Sequence, residues 1–278
     1  MSGDAVDGTP RPGAGSGTVG AGAPPAGRPP VAAVPTGPVA VPRLVSRALP
    51  GRELVPVWVN DLGGTTWRTQ DAGGPALHAK WAPAGTALDL RAEAVRLGWL
   101  AGRTPVPVVE ALEEDGDGAL LVTRTAPGRS AVDPRWLADP VRAVTAVGRG
   151  LRALHDALPV AECPWSWSAQ DRLAQVRPDV DDDAREALAH PPAVDRLVVC
   201  HGDACMPNTL VAEDGTWSAH VDVGALGVGD RWADLAIASW STGWNVGPGY
   251  EDLLLRAYGV ERDDVRTGYY RALWDAGP

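Results

Sequence analysis

The chain has no phenylalanine, one lysine and three cysteines among its 278 residues. Cys163, Cys200 and Cys205 form an odd set that matches no disulfide framework, so we expect a reducing compartment and a cytoplasmic protein. No run of about 18 apolar residues is present, which argues against a membrane-spanning helix. The N-terminus also lacks the basic and apolar regions of a secretion signal.

Positive charge is scarce as well. The 25 Lys and Arg residues are outnumbered by 35 Asp and Glu residues, which gives a net charge of −10. This balance argues against a nucleic-acid partner, because phosphate backbones select basic surfaces. It suits a cationic small molecule, although acidic surfaces also serve solubility alone. A hydrophobic content of 45% at this length predicts a globular protein of two lobes or two small domains, and we expect a monomer or weak dimer.

The first 42 residues contain many glycines, prolines and alanines and few large apolar side chains. Such a segment buries too little apolar surface to offset the entropy lost on ordering, so we predict a disordered tail over residues 1–42. The pairs Pro24-Pro25 and Pro29-Pro30 leave open a proline-rich docking segment, but no aromatic or basic residues stand in register with them.

Short strands separated by turns are predicted between residues 43 and 126. Their segments are Val55–Val59, Trp67–Thr69, Leu77–Trp81, Val108–Leu112 and Ala119–Thr123. After the third strand, the spacing of Thr86 and Asp89 resembles a capping box and predicts a helix that ends near Ala101. We therefore interpret residues 43–126 as a small β-rich lobe.

Helices dominate the predicted second lobe, residues 127–278. Asp139-Pro140 is typical of a helix start, because Asp caps helices and Pro is tolerated at the first helical position. Arg196–Cys200 is predicted to be a buried strand that leads into a loop, and Thr209–Val211 and Trp217–Val221 are predicted to form a hairpin. Three further helices are predicted near residues 232–241, 251–257 and 261–275.

The most informative segment follows the buried strand. It places Asp203 in a His-Gly-Asp sequence, Asn208 in the same loop, and Asp222 in an Asp-x-Gly sequence after the hairpin. Phosphoryl transfer to a hydroxyl uses such a set: one Asp orients the hydroxyl and accepts its proton, while an Asn and a second Asp hold Mg²⁺ on the triphosphate. Each residue alone is also typical of a turn. Their occurrence together favours Asp203 as the base and Asn208 and Asp222 as metal ligands.

Lys80 is the sole lysine of an arginine-rich chain, which favours a role for a compact point charge, such as binding phosphate oxygens. Glu93 falls near the inward face of the following helix, where a carboxylate needs a cation. The alternative is a solvated strand lysine. Gly63, Gly64 and Thr65 are the candidate turn over the phosphates, although glycine pairs are common in hairpins.

Neighbouring residues have structural interpretations. His201 is expected to brace the loop by hydrogen bonding. Arg231 and Asp234 lie three positions apart at a predicted helix start and are expected to pair and so fix the metal loop.

Two other groups allow a binding site as well as a structural role. Cys200, His201, Cys205 and His220 leave zinc as an alternative, but their spacing matches no usual structural zinc site. The acidic segment 179–186 is typical of a solvated helix start, and it is also a candidate platform for a polycation.

The segments 199–211 and 222–236 resemble those of the aminoglycoside phosphotransferases of the 3′ and 3″ types. The resemblance implies an α+β, bilobal protein-kinase-like fold. A small antiparallel β-sheet N-lobe, residues 43–126, would bind ATP, and a mainly helical C-lobe, residues 127–278, would carry catalysis and aminoglycoside binding. It also implies ATP and Mg²⁺ as cofactors and an aminoglycoside as the small-molecule partner.

The same resemblance gives each site residue a role. Asp203 is the implied catalytic base, and Asn208 and Asp222 are the implied metal ligands. The residues implied to bind the nucleotide are Lys80, Glu93, Gly63, Gly64, Thr65, Thr123, Thr125 and Ala126. The candidate substrate contacts are Asp230, Arg231 and Asp275.

The function that the resemblance implies is that of an aminoglycoside 3′-phosphotransferase of the kanamycin kinase type, which confers antibiotic resistance. The alternatives are a streptomycin 3″-phosphotransferase, a kinase for an endogenous small amine or sugar, and a non-catalytic nucleotide-binding module. Lys80, Asp203, Asn208 and Asp222 are all intact, which argues against the last. The C-terminus departs from the acidic and aromatic tail of the 3′ enzymes and leaves Asp275 as the candidate there.

Overall fold

The computed structural model describes residues 32–70 and 74–277. The predicted tail lies outside the described residues up to position 31. At Ala32–Ala33 (β1) the chain already pairs with the strand Leu54–Asn60 (β2), so the predicted boundary of the tail at residue 42 is too late. A short helix, Arg43–Ala48 (α1), separates these two strands along the chain.

The N-lobe is built on one six-stranded antiparallel sheet with the strand order β1-β2-β3-β4-β6-β5. The strands that follow β2 are Thr65–Thr69 (β3), Leu77–Pro83 (β4), Val108–Glu114 (β5) and Gly118–Arg124 (β6). The helix Leu90–Leu100 (α2) connects β4 to β5. The strand segments predicted from the sequence therefore all occur as strands.

Alternation along β4 sets the position of Lys80. Ala79 is fully buried against α1 together with Trp67 of β3, whereas Lys80 points to the opposite face of the sheet, where α2 lies. The start of α2 differs from the predicted capping box: Asp89 is the N-cap and accepts from Ala92 N at 2.8 Å, while the Thr86 hydroxyl donates to Pro83 O.

The C-lobe is mainly helical. Its helices are Pro134–Leu137 (α3), Pro140–Ala157 (α4), Ala169–Leu173 (α5), Asp182–Leu188 (α6), Trp232–Asn245 (α7), Glu251–Tyr258 (α8) and Asp264–Asp275 (α9). Its short strands are Arg129–Ser130 (β7), Leu197–Cys200 (β8), Thr209–Val211 (β9), Trp217–His220 (β10) and Gly227–Asp230 (β11). They form two small antiparallel sheets, β10-β9-β7 and β11-β8, which carry the loops of the site.

The core of the C-lobe surrounds α4, which starts as predicted with Asp139 as its N-cap and Pro140 in its first turn. Leu151 and Leu154 of α4 pack among Leu254 of α8 and Leu235 of α7, and all four side chains are buried. The same apolar cluster continues into the N-lobe through Leu97 of α2, so the two lobes share a core next to the site. Within the described residues, no helix is both long enough and apolar enough to cross a membrane.

Candidate active site

The loop after β8 holds Asp203 in a defined orientation. Asn208 Nδ2 donates to Asp203 Oδ2 at 3.0 Å and to the Asp203 carbonyl oxygen at 2.9 Å. The Cys205 thiol donates to Asp203 Oδ1 at 3.1 Å. A one-turn 3₁₀ helix, Met206–Asn208, brings Asn208 back toward the aspartate. Both carboxylate oxygens of Asp203 therefore have a fixed hydrogen-bond donor.

Asp234 of α7 anchors the backbone of this loop. Its fully buried carboxylate accepts from His201 N at 2.6 Å, from Gly202 N at 2.9 Å and from His155 Nε2 at 2.9 Å. Burial opposes the charge of Asp234, but the bond and charge of His155 outweigh it and hold its pKa below the ordinary value. The other ring nitrogen of His155 bonds to the Tyr258 hydroxyl at 2.8 Å.

The predicted pairing of Arg231 with Asp234 is wrong. Arg231 Nε donates instead to Asp195 Oδ2 at 2.6 Å, so Arg231 ties the base of α7 to the segment before β8. The predicted brace at His201 is present, because its Nε2 bonds to Val221 O at 3.0 Å and its Nδ1 accepts from Asp203 N at 3.3 Å.

Gly202 permits a close approach between the catalytic loop and the loop that carries Asp222. Its φ is +86°, and a Cβ there would lie 2.2 Å from Ala225 O, which is far inside van der Waals contact. Asp222 itself has a φ of +60° and is the one non-glycine residue with positive φ among residues 32–70 and 74–277. This uncommon backbone conformation, which Asp tolerates better than most residues, directs the Asp222 side chain toward the N-lobe.

Lys80 joins the two lobes at the site. Its Nζ lies 2.8 Å from Glu93 Oε2 and 2.6 Å from Asp222 Oδ1. Burial opposes the lysine charge, but the two carboxylates outweigh it and raise the pKa of Lys80 above its ordinary value. The structure thus brings Lys80, Glu93 and Asp222 together in one group.

Burial and these neighbours move the pKa values of the carboxyl groups apart. Burial raises the pKa of Asp203, and the negative charge of Asp222 raises it further. For Asp222, burial has the same effect, but the Lys80 ammonium outweighs it and keeps the pKa below its ordinary value. Asp222 therefore stays ionised while Asp203 becomes a stronger proton acceptor.

The donor set of the loop fits Mg²⁺ bound to a nucleotide. Asn208 turns its amide nitrogen to Asp203, which leaves its amide oxygen as a hard ligand, and its backbone carbonyl accepts from Val221 N, directly before Asp222, at 3.0 Å. In the part of the chain that the structure describes, no three His, Cys, Asp or Glu side chains gather into a metal site. Mg²⁺ suits such a sparse set, because it takes its remaining ligands from phosphates and water.

The zinc alternative is not supported by the positions of its candidate ligands. Cys200 is fully buried and its thiol donates to Asp230 O at 3.4 Å, while both ring nitrogens of His201 have the partners given above. Burial raises the pKa of both Cys200 and Cys205 well above the ordinary value, so neither thiol is prepared to bind a metal as a thiolate.

Gly63 and Gly64 form the turn between β2 and β3. Gly63 has a φ of +82°, and Gly64 N donates to Asn60 Oδ1 at 2.8 Å. Thr65 does not turn its hydroxyl outward, since it is buried and accepts from Trp67 Nε1 at 3.1 Å. Gly63 N also donates within the turn, to Asn60 O at 3.1 Å, so the backbone N–H groups of both glycines and the Thr65 hydroxyl all have partners inside the N-lobe.

The segment after β6 contains Thr125 and Ala126, which the resemblance implies to bind the nucleotide, and it contacts His78, which sequence reasoning missed. Thr125 Oγ1 lies 3.0 Å from His78 Nδ1, and Thr125 N donates to Ala76 O at 2.9 Å. Thr123 and Ala126 are buried on either side of Thr125. Burial, helped by the charge of Arg68, lowers the pKa of His78 to about 4.

The predicted substrate contacts lie apart from one another. Asp230 is only 3% exposed, and its carboxylate accepts from Asp195 N at 2.8 Å and Trp232 N at 3.0 Å, so its predicted contact with substrate is wrong. Arg231 is engaged by Asp195, as described above. Asp275 is exposed at the end of α9 and stays a candidate.

A cluster of three half-exposed tryptophans lies between α7 and α9, and the sequence reasoning missed it. The ring centroid of Trp240 lies 4.9 Å from that of Trp244 and 6.2 Å from that of Trp274. Ser241, between the two α7 tryptophans, accepts from Met206 N in the catalytic loop at 2.8 Å. The i, i+4 spacing of Trp240 and Trp244 was the available signal, since it puts both on one helix face.

Comparison with known proteins assigns the family. The profile of the phosphotransferase enzyme family matches residues 59–271, which include every catalytic and metal-site candidate described above. The chain belongs to this family. Its members transfer phosphate, so the predicted family and the predicted enzyme class, an ATP-dependent phosphotransferase that acts on an alcohol group, are confirmed.

Several relatives are similar over most of the chain. An aminoglycoside 3′-phosphotransferase of Streptomyces fradiae is 35% identical over 72% of this chain and 85% of its own length. A streptomycin 3″-kinase of Streptomyces griseus is also 35% identical, over 67% of this chain and 76% of its own length. Among solved structures, an aminoglycoside 3′-phosphotransferase of type VIII is 32% identical with a TM-score of 0.68, covering 84% of this chain and 96% of that one. The predicted α+β, protein-kinase-like fold is confirmed.

Proposed function

We propose that the protein is an aminoglycoside 3′-phosphotransferase, which transfers the γ-phosphate of ATP to a hydroxyl of an aminoglycoside. The observation that carries this proposal is the meeting of Lys80, Glu93 and Asp222 next to the Asp203–Asn208 pair. Phosphoryl transfer needs that combination of a phosphate-binding cation, metal ligands and a base. The relatives named for the 3′ activity support the choice of substrate.

On the nucleotide side, Lys80 would bind phosphate oxygens while Glu93 fixes its side chain. Its Nζ contacts Asp222, so bound phosphates would share the Lys80 ammonium with the Asp222 carboxylate. Asn208 and Asp222 would hold Mg²⁺, which neutralises charge on the triphosphate when bound. The backbone of Thr123, Thr125 and Ala126 would face the adenine.

Asp203 would orient the acceptor hydroxyl and accept its proton. Its raised pKa makes it a better base than a solvated aspartate, and Asn208 and Cys205 hold its two oxygens in place. Asp234 would act through the backbone of His201 and Gly202, by keeping the loop at a fixed distance from Asp222.

On the acceptor side, the protein offers an acidic surface and aromatic faces on α7, the helix that contacts the catalytic loop through Ser241. The net charge of −10 favours the approach of a polycationic substrate. Trp240, Trp244 and Trp274 would stack on a sugar ring or bind its ammonium groups through cation–π contacts. Asp275 is the candidate carboxylate there. Phosphorylation of the drug would lower its binding to the ribosome, so the biological role would be antibiotic resistance.

A second candidate is phosphorylation of streptomycin at its 3″ hydroxyl. The Streptomyces griseus streptomycin 3″-kinase is as similar in sequence as the Streptomyces fradiae 3′-phosphotransferase, at 35% identity each.

The test is drug-dependent ADP release by the purified protein with Mg²⁺ and ATP. The panel contains kanamycin, neomycin and streptomycin, and the position of the phosphate is then mapped by NMR of the product. Transfer to the 3′ hydroxyl of kanamycin or neomycin is the expected result. Transfer to streptomycin alone would favour the second candidate, and ADP release with none of the drugs would reject both.

A further inference from the structure

Arg96 links α2 of the N-lobe directly to the C-lobe loop that begins at Asp222. It lies less than one helical turn after Glu93 on the same helix. Its Nε donates to Leu226 O at 3.0 Å, and its guanidinium carbon lies 4.9 Å from the ring centroid of Trp165. Its NH1 also reaches Ala92 O, within its own helix, at 3.3 Å.

Both C-lobe partners of Arg96 are themselves fixed. Leu226 N donates to Val223 O at 3.1 Å, which closes a turn directly after Asp222. Trp165 O accepts from Val228 N at 2.8 Å, two residues beyond that turn. Arg96 therefore contacts the last residue of this turn and the tryptophan that is hydrogen-bonded just beyond it, and the turn directly follows a predicted metal ligand.

The chemistry of these contacts requires an arginine. The partners of the Arg96 guanidinium are two carbonyl oxygens and an aromatic face. Burial lowers the pKa of Arg96, because it disfavours the charged form. A guanidinium can stack on an indole with its flat face while it donates from its edge. A lysine ammonium cannot satisfy both contacts in one position.

We propose that Arg96 is a positioning residue that sets the register between the Lys80–Glu93 pair and Asp222. It fixes α2, and with it Glu93, relative to the loop that carries Asp222. The affinity for the metal–nucleotide complex then depends on a contact that touches neither metal nor nucleotide. This inference rests on the proposed phosphoryl transfer for its effect on turnover, but its effect on nucleotide binding can be measured without any acceptor.

The experiment compares Arg96→Ala with Arg103→Ala. Arg103 is a matched control, because it also stacks on a tryptophan, Trp99, at 4.8 Å and reaches the C-lobe by pairing with Glu162 at 3.2 Å. These contacts join Arg103 to Trp99 and Glu162 rather than to the 222–226 loop. Arg96→Lys is the third variant, since it keeps the positive charge and loses the planar group.

Calorimetry gives the affinity of each variant for ADP with and without Mg²⁺, and turnover gives KM for ATP and for the acceptor. We expect Arg96→Ala to weaken Mg²⁺-dependent ADP binding by about ten-fold or more, as a misplaced site residue does. Affinity without Mg²⁺ and KM for the acceptor should change by less than about two-fold. Arg96→Lys should lose most of the same affinity, and Arg103→Ala should match the unaltered protein.

Two results would overturn the proposal: equal effects of Arg96→Ala and Arg103→Ala, or an Arg96→Ala protein that melts at a lower temperature yet keeps the Mg²⁺-dependent affinity. If the unaltered protein phosphorylates no aminoglycoside, the proposed function fails while the ADP measurements still decide the role of Arg96. The two failures are therefore distinguishable.

Discussion

Lys80 Nζ lies 2.6 Å from Asp222 Oδ1, so the single lysine of the chain bridges the N-lobe and the C-lobe. The same ammonium contacts Glu93 at 2.8 Å. Two carboxylates thus share one cation, which raises the pKa of Lys80 and lowers that of Asp222 despite their burial. The phosphate-binding charge is held in place by the groups that would flank the nucleotide.

The raised pKa of Lys80 predicts low reactivity toward amine acylation. A raised pKa keeps the amine protonated at pH 8, and only the neutral amine reacts. We expect peptide mass spectrometry to show slow labelling of Lys80 in the folded protein and fast labelling in denaturant. Glu93→Gln removes one of the two carboxylates and should speed the labelling. Equal rates in the folded and unfolded states would contradict the assignment.

Asp234 is predicted to matter for both stability and turnover. Asp234→Asn puts an amide against two backbone N–H donors in a fully buried site, so unfolding free energy should fall by about 2–4 kcal/mol. Turnover should drop at least about ten-fold, because the catalytic loop loses its anchor.

Denaturant unfolding and ADP release measure the two effects of Asp234→Asn. Asp195→Asn is the control, since the Asp195 carboxylate, like that of Asp234, accepts several hydrogen bonds. Its donors are an arginine and a tryptophan, and it is partly exposed, so the substitution should lower the unfolding free energy by less than about 1 kcal/mol. A similar loss in both variants would refute the anchoring role of Asp234.

The tryptophan cluster is predicted to act on the acceptor alone. Trp244→Ala removes one aromatic face and should raise KM for the aminoglycoside by about ten-fold, with KM for ATP unchanged. Trp244→Phe should recover most of the loss. Trp99→Ala serves as the control, because Trp99 is also half-exposed and in an aromatic pair but lies on α2. An equal rise in both KM values would point to misfolding instead.

His78 predicts acid sensitivity of the folded state. Burial lowers its pKa from 6.5 to about 4, so below pH 6.5 the unfolded chain takes up a proton that the folded protein does not. Stability should therefore fall as the pH drops through this window, by up to about 1.4 kcal/mol per pH unit from this residue. His78→Gln should remove that part of the slope in denaturant titrations between pH 7 and pH 4. An unchanged slope would contradict the burial of a neutral His78.

The sequence predicts local structure well and long-range partners poorly. The strands of the N-lobe follow from alternation and turn residues, and the helix start at Asp139 follows from its own side chain, so each needs only neighbouring residues. The partner of Arg231 is different: spacing on α7 suggested Asp234, but tertiary packing places Asp195, distant in sequence, within reach.

The site shows the same division. Asp203, Asn208 and Asp222 could be predicted from one ordered motif. In the structure Asn208 bonds to Asp203, and Asp222 lies near enough for its charge to raise the pKa of Asp203. The tryptophan cluster depends on how α9 packs against α7, which no local pattern encodes. The burial of Asp230 could not be predicted either. A carboxylate next to a helix start is compatible both with a hydrogen bond to the backbone and with a contact to substrate.

The central claim is that Asp203 takes the proton from an aminoglycoside hydroxyl during phosphoryl transfer. The most direct measurement is the rate of phosphorylated drug formation, followed by mass spectrometry, for the unaltered protein and for Asp203→Asn. We expect transfer by the unaltered protein, a loss of at least about a thousand-fold in Asp203→Asn, and ADP affinity within a few-fold in both. Phosphorylated drug formed at a comparable rate by Asp203→Asn would contradict it.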